Sequence, residues 1–534
     1  MLAKVLSAVN EGLDSHLVEV EIDVGGGLPA FEIVGLPDKA VSEAKERVRS
    51  AIINSGFKFL PNNKKRVVVN LAPADIKKEG SIYDLPIALG ILLSSKEISV
   101  QVRPGQEEEV GDGPKRKDIQ KVINESLFVG ELSLNGELRY AKGILPMALL
   151  AKKLKIKNIF LPKINAQEAC LVKGINVYPI ESLSHLYQYF LGQVEILPFK
   201  SSKGLKKMGV SQEYEYDFGH IKGQGFIKRA LEIASAGGHN VLMIGSPGSG
   251  KTLLARAVPS ILPEMNEREI LETTKIYSIA GLLKESEVLK NQRPFRSPHS
   301  TISNVAMVGG GQIPRPGEVS LAHRGVLFLD ELAHFGRASL ESLRQPLEDG
   351  RISVARARGS ITYPSKFILI ASMNPCPCGY YGDPDKECKC SAGEVMRYRR
   401  KISGPFLDRI DIHLNVPRVK IDKLMSEKVA ESSCEIRKRV EIARKKQNER
   451  FKDSKVMTNA EMGIKQIKKY CELDAKAEEL LKNALEKFVL SARAYHRILK
   501  VARTIADLVG ADKITTEHLA ESIQYRTKID ENVF

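Results

Sequence analysis

The sequence predicts a multidomain α/β protein that ends in a helical region, and three observations lead to this prediction. Strand-like and helix-like apolar patterns alternate over the first 95 residues. A glycine-rich loop joins an apolar strand to a helix at residues 245–252. Beyond Ile421 the pattern becomes helical and highly charged. The 534 residues would suffice for three or four domains of about 150 residues each.

The first part of the chain alternates strands and helices. Residues 17–22 alternate polar and apolar side chains, as a half-buried strand does. Residues 37–55 carry apolar side chains at helical spacing, and Gly56 follows them as a stop signal. Residues 65–70 predict a further strand, and residues 85–92 predict a buried helix. This mixture favours an α/β domain.

Two polar segments predict the domain boundaries. Residues 101–124 are charged and contain several glycines and prolines, which indicates a surface loop or insertion within the first domain. Residues 199–217 contain Ser, Gly and Lys with few large apolar side chains and predict a linker. We therefore expect a first domain over 1–198, a second α/β domain over 218–418 and a helical domain over 419–534.

The net charge is concentrated in one part of the chain. Lys and Arg number 81 against 65 Asp and Glu, which gives a formal charge of +16. Residues 351–500 contain 33 basic and 19 acidic side chains, a net charge of +14. This asymmetry suggests a polyanionic partner such as nucleic acid. A solvated surface on a basic protein is the alternative.

Composition excludes several classes of protein. Hydrophobic residues at 43% and charged residues at 27% argue against wholesale disorder, collagen and coiled-coil rods. No apolar run reaches 18 residues, and Glu11 and Asp14 interrupt the N-terminal stretch where a signal peptide would stay apolar. Seven cysteines without an export signal indicate reduced thiols. We expect a cytoplasmic protein without a membrane partner.

The strongest motif is a complete G-x-x-x-x-G-K-[ST] sequence, which predicts a P-loop for ATP. An apolar strand over 240–244 precedes it and a helix over 253–258 follows it, as such a loop requires. Its glycines let backbone N–H groups face phosphates, Lys251 would reach the β- and γ-phosphates, and Thr252 would ligate Mg²⁺. The motif consists of Gly245, Ser246, Pro247, Gly248, Ser249, Gly250, Lys251 and Thr252.

Two further strands end in polar residues that suit ATP hydrolysis. The strand over 325–329 ends at Asp330 and Glu331. Asp330 would hold Mg²⁺ through water, and Glu331 would polarise the attacking water. The strand over 367–373 ends at Asn374, which could sense the γ-phosphate. A turn residue is the alternative for Asn374.

Four cysteines predict a structural zinc site in a loop over 376–390. Two C-x-C pairs offer four thiolates, which suit tetrahedral Zn²⁺ and leave no open position for chemistry. Reduced structural thiols or a redox pair are the alternatives. The candidate ligands are Cys376, Cys378, Cys388 and Cys390. We expect the remaining cysteines, Cys170, Cys434 and Cys471, to be core residues.

Several segments resemble the YifB/ComM group of AAA+ ATPases of the magnesium-chelatase subunit I type. The resemblance covers nearly the whole chain. It implies an AAA+ core with a helix-2 insert over 281–324, a pre-sensor hairpin over 351–365 and a C-terminal helical lid. The matching segments are GQGFIKRALEIASAGGHN, the P-loop, RPFRSPHSTIS, GEVSLAHRGVLFLDE, NPCPCGYYGD, ISGPFLDRIDIHLNVP and SARAYHRILKVARTIADL.

The resemblance also implies roles for individual residues. Arg409 matches the arginine finger that reaches the γ-phosphate on a neighbouring subunit, which requires a ring. Arg493 matches the sensor-2 arginine of the lid, with Arg497 one turn later as the alternative. Ile221 and Gln224 match the turn near the adenine.

The hairpin offers candidate DNA contacts. Residues 351–358 alternate as a strand should, which puts Arg356 and Arg358 on one face, with Gly359 and Ser360 as the turn. In the resembled family such hairpins point into the pore of the ring, where these arginines could grip phosphates. A solvated strand face is the alternative.

The first domain resembles the Lon-protease-like domain, a ribosomal-S5-like α/β fold, that this group contains. Proteolysis by such a domain needs a Ser nucleophile and a Lys. An ungapped comparison puts Ile82 at the Ser position, beside Ser81, and Leu145 at the Lys position. We therefore expect no protease activity and a domain that binds DNA or a partner. Asp84 would be a helix cap.

The resemblance implies a hexameric, ATP-hydrolysing ring that acts on branched or single-stranded DNA. Its closest functional analogy is a branch-migration helicase in recombination during natural transformation. A magnesium-chelatase-type ATPase is one alternative, and a Lon-like remodelling factor or chaperone is another.

Overall fold

The computed structural model describes most of the chain and divides it into two compact units. The first unit comprises Met1–Val210 with Thr274–Lys290, and the second comprises Ser211–Thr273 with Asn291–Phe534. The described residues are 2–57, 59, 65–78, 80–95, 119–200, 214–283, 289–311, 314–356, 359–419, 430–454, 456–487 and 491–533. Most of the expected insertion (101–118), most of the expected linker (201–213) and Arg358 lie outside these residues.

A seven-stranded mixed sheet forms the centre of the first unit. Its strands are β1 (Leu2–Glu11), β2 (Asp14–Gly26), β3 (Ala30–Val34), β4 (Lys65–Ala72), β5 (Ser126–Phe128), β8 (Asn158–Pro162) and β9 (Asn176–Ile180), and the short strands β6 (Glu131–Leu132) and β7 (Leu138–Arg139) pair separately. The order in the sheet is β3-β4-β2-β1-β5-β8-β9, with antiparallel neighbours among β1, β2 and β4 and parallel pairs elsewhere. Its α-helices within Met1–Val210 are Lys39–Asn54, Asp84–Ser94, Ile119–Asn124, Ile144–Lys153, Ala166–Ala169 and Leu183–Phe190.

The helix Lys39–Asn54 confirms the sequence prediction for this segment. Asp38 caps it, because the Asp38 side chain accepts a hydrogen bond from the backbone N–H of Val41 at 2.7 Å. Its apolar stripe is buried against the sheet, which stabilises the unit through removal of apolar surface from water. The buried residues are the predicted ones: Val41, Ala44, Val48, Ala51 and Ile52.

Three local predictions were wrong. Residues 119–124, expected within a surface loop, form a helix because Ile119 and Ile123 are buried in the core. Asp84 is not a cap: it is fully buried and accepts hydrogen bonds from Arg47. Cys434 is exposed on a helix rather than buried in a core.

A five-stranded parallel sheet forms the centre of the second unit. The strands are β10 (Val241–Ile244), β11 (Phe295–Arg296), β14 (Val326–Leu329), β17 (Ile368–Met373) and β18 (Ile412–Asn415), and a separate short pair comprises β12 (Gly309–Gly310) and β13 (Arg315–Pro316). The order in the five-stranded sheet is β11-β14-β17-β10-β18. Because all five strands run in the same direction, the loops that follow β10, β14 and β17 meet at the carboxyl edge of the sheet.

The chain after residue 211 contains many helices, and those after β18 form a helical region. Buried residues of Ser433–Arg450 and Ala492–Leu508 join the hydrophobic core beneath the parallel sheet. Among the described residues no helix combines the length and apolarity needed to cross a membrane. The helices are Gly225–Gly237, Lys251–Ala257, Glu267–Ala280, Asn304–Val308, Glu318–Leu321, Arg337–Ser342, Arg344–Asp349, Ala392–Arg399, Gly404–Leu407, Ser433–Arg450, Ile464–Tyr470, Ala475–Lys487, Ala492–Leu508 and Thr516–Val533.

The expected hairpin is present with a different turn. Strands β15 (Arg351–Arg356) and β16 (Gly359–Pro364) are antiparallel. Their register pairs Arg356 with Gly359 and Ala355 with Ser360, so the predicted turn at Gly359 and Ser360 was wrong. Both residues belong to the second strand because only two residues, 357 and 358, connect the strands. The side chains of Arg356 and Arg358 lie outside the described part of the chain.

Candidate active site

The P-loop follows β10 directly, and its glycines meet specific steric demands. All four residues of β10 are buried. A Cβ at Gly245 would lie 2.3 Å from the carbonyl oxygen of Val416, so no larger residue fits there. Gly248 and Gly250 adopt left-handed backbone angles, with φ of +77° and +86°. Gly250 thereby starts the helix Lys251–Ala257, whose first residue is the P-loop lysine.

The Lys251 side chain lies across the P-loop and is held by the backbone of the loop. Its Nζ donates to the carbonyl oxygens of Gly245 at 2.7 Å and Ser246 at 3.0 Å, and approaches Asn374 Oδ1 at 3.4 Å. Burial lowers the pKa of this amine, and the nearby Asp330 carboxylate partly opposes the shift. The sheet order explains the contact with Asn374, because β17 is the immediate neighbour of β10.

The predicted magnesium ligands lie together. Thr252 Oγ1 donates to Asp330 Oδ2 at 2.9 Å, and the Ser372 hydroxyl donates to the other carboxylate oxygen of Asp330. Glu331 is exposed, has a left-handed backbone with φ of +53°, and its N–H donates to Asp330 at 3.1 Å. A hydroxyl beside a carboxylate at the P-loop suits Mg²⁺, which is bound through few protein oxygens and several waters.

The segment before Gly225 provides a candidate adenine contact. Gln224 Nε2 donates to the carbonyl oxygens of Ser249 at 2.8 Å and Pro417 at 3.2 Å. Gln224 Oε1 is buried and accepts no hydrogen bond from the described residues. A buried amide oxygen without a donor beside the P-loop fits an amino group such as that of adenine. Ile221 is buried close by in sequence.

Arg409 lies at the opposite edge of the sheet from the P-loop. Strands β10 and β18 are parallel, with Val241 paired to Ile412. The P-loop follows the carboxyl end of β10, whereas Arg409 precedes the amino end of β18. Its carbonyl oxygen accepts a hydrogen bond at 3.2 Å from the side chain of Asn240, the residue just before β10. Arg409 therefore lies away from the phosphate site of its own chain.

Arg493 belongs to the same edge as Arg409. Glu348 pairs with the guanidinium of Arg409 and lies 4.0 Å from that of Arg493. All three line a cavity of about 520 Å³, and none of its described lining residues belongs to the P-loop. Arg409 Nε is buried and donates to no described acceptor. Among the described residues, the two guanidinium groups thus share the carboxylate of Glu348.

Arg497, the alternative to Arg493, has a different environment. It pairs with Asp411, whose side chain is 2% exposed and also accepts a hydrogen bond from the Asn240 N–H at 2.9 Å. Burial opposes ionisation of Asp411, but the charge of Arg497 and further contacts lower its pKa. This pair joins the helical region to β18. Arg493, by contrast, has an exposed side chain at the cavity.

The four predicted zinc ligands come together. The Sγ atom of Cys376 lies 3.4 Å from that of Cys378 and 3.6 Å from that of Cys388, and Cys378 and Cys388 are 3.6 Å apart. All four sulfurs, including Cys390, lie within 4.8 Å of one another. Four thiolates about 2.3 Å from a tetrahedral zinc ion would be about 3.8 Å apart. The cluster is therefore compatible with zinc.

Three residues of this site were missed in the sequence. Asp383 and Arg418 connect the cysteine loop to the P-loop, with the Arg418 guanidinium 3.3 Å from Asp383 and 3.4 Å from the carbonyl oxygen of Pro247. Glu348 connects Arg409 and Arg493. Asp383 belongs to the NPCPCGYYGD segment, whose resemblance to the family could have marked it as a site residue. Arg418 and Glu348 lie outside the segments that resemble the family.

Three features define the chain as a P-loop ATPase of the AAA+ class: the sheet order, the P-loop after β10, and β14, which lies two positions from β10 and is followed by Asp330 and Glu331. Residues 217–424 match the family described as "Magnesium chelatase, subunit ChlI", and residues 430–526 match its C-terminal part. A third family, "Subunit ChlI of Mg-chelatase", matches residues 20–110 and 114–165.

Full-length relatives narrow this class. The chain is 43% identical to competence protein ComM of Haemophilus influenzae over 533 residues, which are 99% of this chain and 98% of that protein. It is 40% identical to the uncharacterized protein YifB of Escherichia coli over 517 residues, 96% of this chain and 95% of YifB. The magnesium-chelatase subunit ChlI of Nicotiana tabacum is 25% identical over 59% of this chain and 73% of its own length. The chain belongs to the YifB/ComM family.

Proposed function

We propose that this protein is an ATP-hydrolysing ring motor that acts on DNA, with a role in branch migration during recombination. The main support for a ring is that the proposed catalytic groups lie at two opposite edges of one sheet. The relative named competence protein ComM supports a role in natural transformation. The ring would be a hexamer, and the DNA branched or single-stranded.

Each P-loop would bind the triphosphate of ATP with the residues gathered at the carboxyl edge. The backbone N–H groups of the loop and the Lys251 ammonium would hold the phosphates, while Gln224 would accept from the adenine. Mg²⁺, held by Thr252 and through water by Asp330, would neutralise charge on the phosphates. Glu331 would take a proton from the attacking water, and Asn374 would orient it.

Arg409 and Arg493 would serve the ATP bound to a neighbouring subunit. Both lie at the amino edge of the sheet, away from the P-loop of their own chain. In a ring this edge would face the next subunit's nucleotide. A guanidinium that reaches the γ-phosphate stabilises the charge of phosphoryl transfer. The Glu348 carboxylate would release both arginines when the more highly charged phosphate arrives.

DNA is proposed as the substrate from the distribution of charge. A ring would repeat the +14 of residues 351–500 around its axis. The hairpin β15–β16 lies within this window, and we propose that Arg356 and Arg358 contact phosphates. The first unit would be a Lon-like, ribosomal-S5-like domain used for binding. It carries apolar Ile82 and the buried Leu145 at the positions of the protease dyad, so we propose no protease activity.

Zinc is proposed for the four-cysteine loop. The sulfur separations of 3.4 and 3.6 Å are close to those of a tetrahedral thiolate site. Two backbone N–H groups also face the sulfurs: Cys378 N–H lies 3.4 Å from Cys390 Sγ, and Tyr381 N–H lies 3.3 Å from Cys376 Sγ. Such donors stabilise thiolates and support metal-bound rather than neutral sulfur.

The test is an ATP-dependent unwinding assay on branched DNA with the full-length protein. Lys251→Ala removes the phosphate contact, and Glu331→Gln removes the base while leaving the P-loop intact. We expect DNA-stimulated ATPase and unwinding by the wild type, and a loss of about a hundredfold or more in either variant. A wild-type ATPase that DNA neither stimulates nor binds at low salt would contradict the DNA motor and favour a chelatase-type ATPase.

A further inference from the structure

We propose that the four-cysteine loop is a brace for the P-loop, so that zinc bound to the cysteines sets the affinity for nucleotide. The proposal rests on the zinc site inferred above. It extends that site from a local stabiliser of a loop to a determinant of the phosphate-binding conformation. The cysteine loop contacts Ser246 and Pro247, the second and third residues after β10.

The first contact is steric. Gly379 lies between two of the cysteines in sequence and adopts φ of +87°. A Cβ at this position would lie 2.6 Å from the Cγ and Cδ atoms of Pro247 in the P-loop, and 3.8 Å from Cγ of Asn374. The backbone of the cysteine loop is thus packed directly on the P-loop, at a position that only glycine can occupy without displacing the proline.

The second contact is polar and involves Asp383, midway between Cys378 and Cys388 in sequence. The Ser246 hydroxyl lies beside the Asp383 carboxylate, and its proximity is the main reason that the pKa of Asp383 is below its usual range. The Asp383 side chain is 1% exposed. Its backbone neighbours Asp385 and Lys386 donate N–H groups to the same carboxylate at 2.9 and 3.1 Å. The Asp383 carboxylate is therefore held by the backbone of its own loop on one side and faces Ser246 on the other.

Arg418 provides a third contact between the cysteine loop and the P-loop. Its guanidinium lies 3.3 Å from Asp383, donates to the carbonyl oxygen of Pro247 at 3.4 Å, and stacks 5.4 Å from the ring centre of Tyr380. One side chain thus contacts both the P-loop and the cysteine loop. These two elements are held as a unit at Ser246 and Pro247.

Metal is what would make this unit rigid. The loop over 376–390 has no helix or strand of its own, and its polar residues cannot supply an apolar core. Four sulfur–metal bonds would fix Gly379 and Asp383 relative to each other, because both lie between ligands. Without the metal, the loop gains conformational freedom, and ordering it would reduce the free energy available for nucleotide binding.

The experiment measures zinc content and nucleotide affinity together on the full-length protein. Zinc is quantified by elemental analysis, and affinity is measured with N-methylanthraniloyl-ADP in Mg²⁺. Cys388→Ser removes one ligand. Asp383→Asn keeps all four cysteines but weakens the contact with Ser246. Asp385→Asn is the matched control, since Asp385 is an exposed acid of the same loop.

We expect Cys388→Ser to lose zinc and bind the nucleotide about tenfold more weakly. Asp383→Asn should retain zinc and bind about fivefold more weakly, because it removes the charge that pairs with Arg418 beside the P-loop. Asp385→Asn should match the wild type in both measurements. Removal of zinc from the wild type by a chelator should weaken binding, and added zinc should restore it, which separates the effect from misfolding of a variant.

The outcomes distinguish this inference from the proposals on which it rests. Zinc-free wild type that takes up no added zinc would overturn the metal site and this inference, while the ATPase proposal stands on Lys251→Ala. Wild-type affinity in a zinc-depleted protein would overturn the brace and leave the zinc site standing. Wild-type affinity in Asp383→Asn would overturn Asp383 as the connection. If Cys388→Ser does not fold, the chelator and Asp383→Asn measurements decide.

Discussion

The two edges of the five-stranded sheet in the second unit differ in how complete they are. At the carboxyl edge, Lys251 contacts Asn374, and Thr252 contacts Asp330. At the amino edge, Arg409 and Arg493 share the carboxylate of Glu348, and the described residues that line their cavity include none from the P-loop. Under the proposed function, the carboxyl edge binds the nucleotide of its own chain, and the amino edge serves the nucleotide of a neighbouring subunit.

Among the variants that distinguish the roles of the two sheet edges, Arg409→Ala should show the largest effect. We expect ATP turnover to fall by about a thousandfold, because an arginine finger acts on the transition state. The affinity for nucleotide should change less than threefold, since the P-loop is untouched. Steady-state ATPase and nucleotide titration measure the two quantities. A loss of affinity as large as the loss of turnover would place Arg409 at its own P-loop instead.

Alanine variants of Arg493 and Arg497 should show that the first residue serves catalysis and the second serves stability. Arg493→Ala should lower turnover by about tenfold to a hundredfold and leave the free energy of unfolding within about 0.5 kcal/mol, because its side chain is exposed. Arg497→Ala should instead destabilise the second unit by about 3 kcal/mol, because it leaves the buried Asp411 without its cation.

Thermal unfolding and ATPase assays on the same preparations distinguish these two variants. If Arg493→Ala proves unstable and Arg497→Ala proves stable but inactive, the two roles are reversed and the sensor assignment moves to Arg497.

The smallest predicted effect concerns pH and the junction of the sheet with the helical region. His239 is fully buried, and its Nε2 is 2.7 Å from Thr504 Oγ1 on the helix Ala492–Leu508. Burial lowers its pKa to about 4, with the nearby Asp411 opposing the shift. The unfolded chain therefore takes up a proton near pH 6.5, whereas the folded chain resists protonation until about pH 4.

Because the unfolded state binds more protons in this window, stability is present above pH 6.5 and is lost as the pH falls toward 4. Between pH 6.5 and 5 the His239 contribution should decline by about 2 kcal/mol. Thermal unfolding midpoints measured across this range should fall a few degrees less in His239→Gln than in the wild type. Equal slopes for the two proteins would contradict the assignment.

Sequence patterns predicted elements well where the information is local. The apolar stripe of Lys39–Asn54 and the strand–loop–helix around Lys251 each depend on residues within one segment. The helix Ile119–Asn124 was missed because only six residues form it and its apolar residues pack on distant strands. The turn of the hairpin was misplaced because glycine also occurs within strands.

The site was predicted as residue types but not as an arrangement. Whether Arg409 and the P-loop share an edge depends on the order and direction of β10 and β18, which are about 170 residues apart in sequence and carry no pairing signal. The contacts of Arg418 with Pro247 and of Glu348 with Arg409 likewise join distant segments. Long-range pairing is a property of the folded chain, so local patterns leave it open.

The most direct test of an active site shared between two subunits is to mix two inactive variants. Lys251→Ala lacks a working P-loop but keeps Arg409, whereas Arg409→Ala keeps its P-loop. When the two are mixed and allowed to exchange subunits, a mixed ring contains interfaces that join an intact P-loop to an intact arginine. We predict that ATPase activity returns on mixing, rising with the fraction of Lys251→Ala to a maximum and then falling. Activity that stays at the background of the separate variants at every ratio, with subunit exchange verified by fluorescence transfer, would contradict the account.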